Sequence, residues 1–357
     1  LHDNPRAAYA QLAARIYGPQ PPKICAVTGT NGKSSIVEFC RQIAQGLGVR
    51  SASMGTLGIR SDTRDEYGNL TTPDAACIHQ NLQELAKDGV EFVALEASSH
   101  GLSMHRLDGV AICAGAFSNL TQDHLDYHQD MREYFAAKSR LFHELLPKGA
   151  HAVLNSDDEN FTTLRQICQA RAITIWAFGQ NTQIPHVCVQ KWQATPDGAD
   201  VIFLIHMIIK GKTIRQEIKS SIALMGEFQA HNIACALALC AACLPEQFLA
   251  RYEDLPAIIA SLQAPKGRVE IVARHPENNA QVIVDFAHTP DAIQSVFVAI
   301  RKHTGNGRML CVLGAGGDRP HARSAARRPP SGTNPVLAGC KRVWHEFQGG
   351  TCARAQA

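Results

Sequence analysis

Long apolar runs are missing from this 357-residue sequence. Nowhere do about 18 apolar residues follow one another, so neither a membrane-spanning helix nor a membrane partner is expected. An excess of one charge is missing too. The 35 Lys and Arg face 32 Asp and Glu, and a formal net charge of +3 does not argue for nucleic acid or an anionic surface as a partner. No signal peptide opens the chain, because residues 1–18 are amphipathic and partly charged. The first residue is Leu1 rather than Met, which suggests that the start of the gene product lies upstream. The 12 cysteines form neither a disulfide framework nor a metal-binding spacing. Their one CxxC pair, Cys240 and Cys243, lies in an alanine-rich run and reads as small buried hydrophobes of a helix. Such cysteine usage points to a reducing, cytoplasmic compartment. What remains, 45% hydrophobic and 19% charged, is the composition of a soluble globular chain of two or three domains.

Short apolar runs alternate with helical patterns. Strands are expected at 23–27, 91–95, 110–116, 151–154 and 172–178. Helices are expected at 33–47, 78–88, 131–146 and 227–244. This alternation argues for an α/β fold with a doubly wound parallel sheet. Between 187 and 218 the period changes to that of strands, suggesting hairpins on the sheet edge. A linker is read at 262–268 (LQAPKGR). The runs VEIVA, QVIVDF and RMLCVLGAGGDR after it suggest a second α/β domain. Residues 318–357 hold seven Lys or Arg and two acids without an amphipathic period, so a disordered tail, of the kind a frameshift produces, is expected there.

The strongest motif is Thr28-Gly29-Thr30-Asn31-Gly32-Lys33-Ser34-Ser35, between a strand and a helix. Glycines allow a backbone to wrap a polyphosphate with its N–H groups, a lysine can meet the terminal phosphates, and a hydroxyl can bind Mg²⁺. The strict P-loop has Gly where this chain has Val27, so the loop is a variant. GTNGKSS resembles the ATP loop of the Mur ligase and folylpolyglutamate synthetase superfamily, which couples ATP cleavage to joining a carboxylate and an amine. That resemblance implies a P-loop-containing parallel-sheet ATPase domain at 21–262. Residues 1–20 would lead into it. A partial Rossmann-like C-terminal domain would occupy 263–318, and the aberrant tail 319–357.

Further segments extend the resemblance. Glu96, at the carboxyl end of a strand, suits Mg²⁺. The segment from Asn119 to His128 resembles the Mur signature NLxxDHLDYH, which implies that His124 is a metal ligand and leaves Asp126 and His128 structural. Lys138, in Tyr134-Phe-Ala-Ala-Lys138-Ser, matches the family's carbamylated lysine, a modification that turns a cation into an anionic metal ligand. Thr71-Thr72-Pro73-Asp74 resembles the TTPD segment of the third-residue branch, whose threonines bind the UDP-MurNAc-dipeptide. The same residues also read as a helix start, with Thr72 as cap and Pro73 first in the helix. In Glu96-Ala-Ser98-Ser99-His100-Gly101-Leu102, and just after it, Ser98 and Arg106 match positions that hold the muramyl peptide. Gly226-Glu-Phe-Gln-Ala-His-Asn232 implies that Asn232 contacts adenine. Arg268 of Gly267-Arg268, and Asp285 and His288 of the DFAHTPD segment, match nucleotide contacts.

The resemblance therefore implies ATP and Mg²⁺ as cofactors. The substrates would be UDP-MurNAc-L-Ala-D-Glu and a diamino acid, meso-diaminopimelate or L-lysine, joined through an acyl phosphate by a monomer that binds no nucleic acid. Lys33, Glu96, His124 and Lys138 would form the catalytic set, with Ser34, Glu96 and His124 holding metal. The family's N-terminal uridine-binding domain and the later part of its C-terminal domain would be absent, so weak activity or none is expected. A DNPR motif of the amino-acid pocket occurs as Asp3-Asn4-Pro5-Arg6, too early in the chain to serve that role. A folylpolyglutamate-type ligase and a non-catalytic nucleotide-binding fragment are the alternatives.

Overall fold

Two faces of apolar side chains and almost no polar ones make Lys23–Thr28 (β1) a strand buried on both sides. In the computed structural model, which describes residues 3–68, 70–121, 127–180, 186–287 and 290–312, β1 follows a helix, Pro5–Tyr17 (α1). Next come Lys33–Gly46 (α2), Ser51–Gly55 (β2), Gly58–Arg60 (β3), Asp65–Glu66 (β4), Ala75–Lys87 (α3), Phe92–Glu96 (β5), Ser99–Ser103 (α4), Ile112–Phe117 (β6) and Met131–Arg140 (α5). His151–Asn155 (β7), Phe161–Ala170 (α6) and Thr174–Gly179 (β8) complete the alternating part. A meander of Val187–Thr195 (β9), Gly198–Ile209 (β10) and Lys212–Ile222 (β11) leads to Glu227–Cys243 (α7), Pro245–Arg251 (α8) and Leu255–Ala260 (α9). Glu270–Arg274 (β12), Gln281–Val284 (β13) and Pro290–Thr304 (α10) end the described elements.

Eleven strands form one sheet in the order β11-β10-β9-β8-β7-β6-β1-β5-β2-β3-β4. Pairings from β2 through β9 across the centre are parallel, and both ends are antiparallel. The expected α/β class with a parallel sheet is therefore observed, as is the edge meander. Its β10–β11 hairpin turns through Lys210 and Gly211, both at positive φ (49° and 77°), which suits a tight turn matched to strand twist. Side chains alternate across β1. Cys25 and Val27 join a core under α2 and α7, while Ile24 and Ala26 join a second core under α3 and α6. Alanine, leucine and cysteine surround α7 on every side, so it lies buried along nearly its whole length. Cys240 and Cys243 are buried within it, as expected.

Two local expectations are corrected. The pattern at 131–146 is not one α-helix, because α5 gives way to a π-turn at Leu141–Leu145. The helix after TTPD begins at Ala75, capped by Asp74, whose side chain accepts from Cys77 N; Thr72 is not its cap and Pro73 lies outside it. β12 and β13 pair antiparallel in a two-stranded sheet of their own. Two compact units divide the chain after Asp285. The second holds α10, whose last turn carries Arg301, Lys302 and His303. Residues 308–312 form no strand, and 313–357 lie outside the described residues. Among the described residues no single helix is long and apolar enough to cross a membrane.

Candidate active site

Strand order reverses beside β1, which pairs with β5 on one side and β6 on the other. Crevices at the carboxyl ends of such strands are where open α/β sheets take ligands. The loop 29–32 emerges there and runs into α2. Its two glycines have physical reasons. Gly29 sits at φ +143, and an added Cβ would come 1.9 Å from Ser118 Oγ. Gly32, at φ +87, would place a Cβ 2.5 Å from Asn232 Oδ1. Gly32 also occupies the N-cap of α2, so no side chain caps that helix. An uncapped helix start at a sheet's carboxyl edge is a ready anion site.

The loop's hydrogen bonds differ from a cradle with every N–H turned inward. Thr30 N donates to the Asn119 carbonyl (2.8 Å) and Asn31 N to Asn119 Oδ1 (2.9 Å). Ser118 Oγ donates to Asn31 O at 2.6 Å. The N–H groups of Thr30 and Asn31 at the loop crest are therefore already engaged, and the candidate phosphate contacts shift toward the first turn of α2. Lys33 Nζ donates back to the carbonyls of Gly29 (2.9 Å) and Thr30 (2.8 Å). Lys138 Nζ, buried on α5, donates to the same Gly29 carbonyl at 2.8 Å and lies 4.3 Å from the centre of the Tyr134 ring. Two ammonium groups thus share one acceptor, and an anion beside them relieves their repulsion.

Glu96 ends β5 and is buried, with Oε1 accepting from Thr56 N (2.8 Å) and Oε2 from Thr56 Oγ1 (3.2 Å). Thr56 Oγ1 also meets Thr71 Oγ1 at 3.0 Å. Thr72 Oγ1 donates to Glu96 O (2.9 Å) and accepts from Ser98 N (3.0 Å), and Arg106 donates to Thr72 O at 2.7 Å. Ser98 Oγ caps α4 through Gly101 N. Thr71, Thr72, Glu96, Ser98 and Arg106 thus form one hydrogen-bonded group. On the other flank, Asn232 Nδ2 donates to Gln229, and burial pushes its neighbour His231 below the usual histidine range. Arg268 donates to Ser34 Oγ (3.2 Å), and Asp285 accepts from Val269 N. The loop, Asn232 and Arg268 come together, with Asp285 tied to the residue after Arg268. His124 and His288 lie outside the described residues.

Buried hydroxyls at this edge support a polar ligand. Thr28 Oγ1 and Ser99 Oγ have no hydrogen-bond partner. Among the described residues no group of three or more His, Cys, Asp or Glu forms a metal cage. The hard oxygens of Ser34 and Glu96 nevertheless fit Mg²⁺, which is usually held by one or two protein oxygens together with phosphates and waters.

The comparisons with known proteins agree with this geometry. The profile described as "Mur ligase middle domain" matches residues 27–240, more than half of the chain, and "Mur ligase, glutamate ligase domain" matches 267–332. The chain belongs to the Mur ligase family. Relatives named UDP-N-acetylmuramoyl-L-alanyl-D-glutamate--2,6-diaminopimelate ligase include one from Bradyrhizobium diazoefficiens, 40% identical over 92% of this chain. Another, from Caulobacter vibrioides, is 40% identical over 90%. The chain spans 64% of the length of each of these curated relatives. A solved structure bearing the same ligase name superposes with a TM-score of 0.69, at 29% identity, over 91% of this chain and 64% of its own. A folate complex of FPGS superposes at 0.67 with 14% identity, over 96% of this chain and 83% of its own, a likeness of fold alone.

Within this Mur ligase chain, sequence reasoning passed over four residues. Thr56 engages both Glu96 oxygens. Asn119 ties down the loop, and Thr121 accepts from Thr30 Oγ1 and from Asn31 Nδ2. Tyr134 joins Thr30 (3.3 Å) to the Lys138 ammonium. Asn119, Thr121 and Tyr134 belong to segments the motifs flag, and Thr56 does not. Asn4 of the early DNPR run caps α1 through Ala7 N, with Pro5 at the first helical position.

Proposed function

We propose that this chain is an ATP-dependent acid–amino-acid ligase that adds a diamino acid, meso-diaminopimelate or L-lysine, to UDP-MurNAc-L-Ala-D-Glu. The observation that carries the reading is the convergence of Lys33 and Lys138 on Gly29 O, at the same sheet edge as the group around Thr72 and Arg106. The names of the relatives support the choice of substrates.

A carboxylate is a poor acyl donor, and ATP supplies the phosphoryl group that converts it to an acyl phosphate. In this reading Gly29, Thr30, Asn31, Gly32, Lys33, Ser34 and Ser35 hold the phosphates. Lys33 follows the γ-phosphoryl with its charge as that group moves. Ser34, Glu96 and His124 hold Mg²⁺, which neutralises phosphate charge when bound. Carbamylated, Lys138 would exchange its cation for an anion beside the metal. Thr71, Thr72, Ser98 and Arg106 orient the muramyl dipeptide, with the Arg106 guanidinium suited to two carboxylate or phosphate oxygens. Asn232 meets the adenine, and the nucleotide-contact roles implied by the family motifs go to Arg268, Asp285 and His288. The setting implied is a cytoplasmic monomer with domains at 21–262 and 263–318.

The test is turnover. Purified chain, Mg·ATP, UDP-MurNAc-L-Ala-D-Glu and each diamino acid are combined, and the nucleotide product is weighed by mass spectrometry. A tripeptide product supports the reading and names the amino acid. Glutamate addition to a folate instead, or ATP binding without any amide product, sinks it.

A further inference from the structure

Five thiols from four elements meet in the core beneath α7: Cys25 of β1, Cys40 of α2, Cys113 of β6, and Cys240 and Cys243 of α7. Cys113 Sγ lies 3.6 Å from Cys243 Sγ and 3.3 Å from the Ile24 carbonyl. Cys25 hydrogen-bonds in turn with Cys243 and Cys40. The Cys240 thiol donates to Cys40 O, and the Cys40 thiol to Ala236 O. One end of this chain of sulfurs reaches water, since Cys113 is part-exposed while the other four are buried. The hydrogen bonds of these thiols run to one another and to the carbonyls of Ile24, Cys40 and Ala236, not to the residues assigned to ATP or metal.

We propose that Cys113 and Cys243 are an oxidative modification site, which closes into a β6–α7 disulfide when a hydroperoxide reaches Cys113.

Sulfurs already in van der Waals contact need to close by only about 1.5 Å to reach bonding distance, and both sit at the ends of their elements, where the chain yields most easily. Burial opposes a charge on Cys25, but hydrogen bonds from Cys243 and Cys40 overcome it and bring that thiol down to about 7. The hydrogen bond with Cys243, with burial, holds the Cys113 thiol far above the usual range. Cys113 therefore becomes a nucleophile only when its proton passes along the S–H···S chain toward the Cys25 thiolate. The reaction then balances. Cys113 sulfur attacks hydrogen peroxide, the O–O bond breaks, and the departing hydroxide takes the proton back from Cys25, leaving sulfenic acid, one water and the Cys25 thiolate restored. Cys243 gives its proton to the Cys25 thiolate and attacks the Cys113 sulfur. An S–S bond forms, the S–O bond breaks, and the departing hydroxide recovers the proton from Cys25 as a second water. Two thiols are oxidised and one peroxide is reduced.

The cross-link would close a loop of about 130 residues, so it restrains the unfolded chain strongly. It would lie at the amino end of the sheet, because the β1–β6 register opposes Ile24 with Ile112, whereas the phosphate loop follows Thr28. Nucleotide binding should therefore be spared.

The experiment treats the full chain with hydrogen peroxide, alkylates the remaining thiols under denaturing conditions, and maps peptides by mass spectrometry. The expected result is a peptide pair joining Cys113 to Cys243, reversed by dithiothreitol, with Tm raised by about 5 °C or more. Cys113→Ala should abolish the pair. Cys25→Ser should slow its formation about tenfold without changing the product. If Cys243 is alkylated in full while Cys113 carries sulfinic acid, or if Cys113 pairs with another cysteine, the proposal is overturned. Wild-type mapping alone decides this, so a variant that fails to fold does not protect the idea.

Discussion

Replacing Gly29 with alanine should damage the fold and the phosphate loop together, by an amount that can be worked out. The new Cβ would lie 1.9 Å from Ser118 Oγ and about as close as contact permits to Asn119 N (3.0 Å) and O (3.1 Å). Rotating Ser118 away relieves the first clash but breaks its 2.6 Å bond to Asn31 O, at about 0.5–1.5 kcal/mol. Holding a non-glycine residue at φ +143 adds about 1–3 kcal/mol. The total is about 1.5–4.5 kcal/mol, and the shift would carry Gly29 O away from both Lys33 and Lys138. Urea unfolding followed through Trp176 and Trp192, both in the large sheet, measures the first effect, and calorimetric titration with Mg·ATP the second. Ser118→Ala alone should cost about 1 kcal/mol, for its lost hydrogen bond. Added to Gly29→Ala it should cost nothing further, because that bond is already broken, while the backbone strain persists. Strictly additive costs for the pair, or Gly29→Ala with unchanged midpoint and affinity, would refute the reasoning.

Arg140 forks onto Asp108 (2.8 and 2.9 Å) and reaches Leu102 O, with both side chains nearly buried. Arg140→Met strands a carboxylate and should cost about 3–5 kcal/mol in denaturant unfolding, whereas replacing both partners with apolar residues should cost less. Asp74→Ala should cost about 1 kcal/mol through the lost cap of α3 and leave the site intact. Thr72→Val instead removes the link between Glu96 and Ser98 and, in the proposed ligase, should raise KM for the muramyl dipeptide more than it alters Tm. Burial pushes His79, His151, His186 and His231 below 6.5, so the folded chain resists their protonation. Their contribution is complete above about pH 6.5 and is lost as pH falls through the folded values, because the unfolded chain takes up protons first. Calorimetry should therefore find Tm lower at pH 5.5 than at 7.5, and a flat profile would contradict the assignment.

The central strands were legible because burial on both faces leaves no alternative to continuous apolar runs such as KICAV, and α7 because nothing polar interrupts it from Ile233 onward. Less visible were features decided by distant partners. Thr72 and Asp74 are both good cap residues. Sequence rules favour Thr72 because Pro73 follows it, but the Thr72 hydroxyl is drawn to Glu96 and Ser98, about 25 residues away, and the cap passes to Asp74. The π-turn after α5 leaves no mark in a pattern that reads as unbroken helix. In the candidate site, the glycine loop and its lysine announce themselves locally. Thr56 does not, because an isolated threonine carries no signal until the fold brings Glu96 to it.

The neighbours of β1 are made late. It lies between β5 and β6, which follow it by more than 60 residues, and the helix that backs Gly32 is α7, ending at Cys243. At a synthesis rate of about 5–20 residues per second, the phosphate loop waits roughly 10–40 s after β1 is made before α7 is available to support it. During that interval β1 is an apolar strand with two unpaired edges, and a growing chain cannot draw on nucleotide binding to protect it. The dependence of this fold on long-range parallel pairing thus makes the interval before Cys243 emerges the one in which aggregation competes most directly with folding.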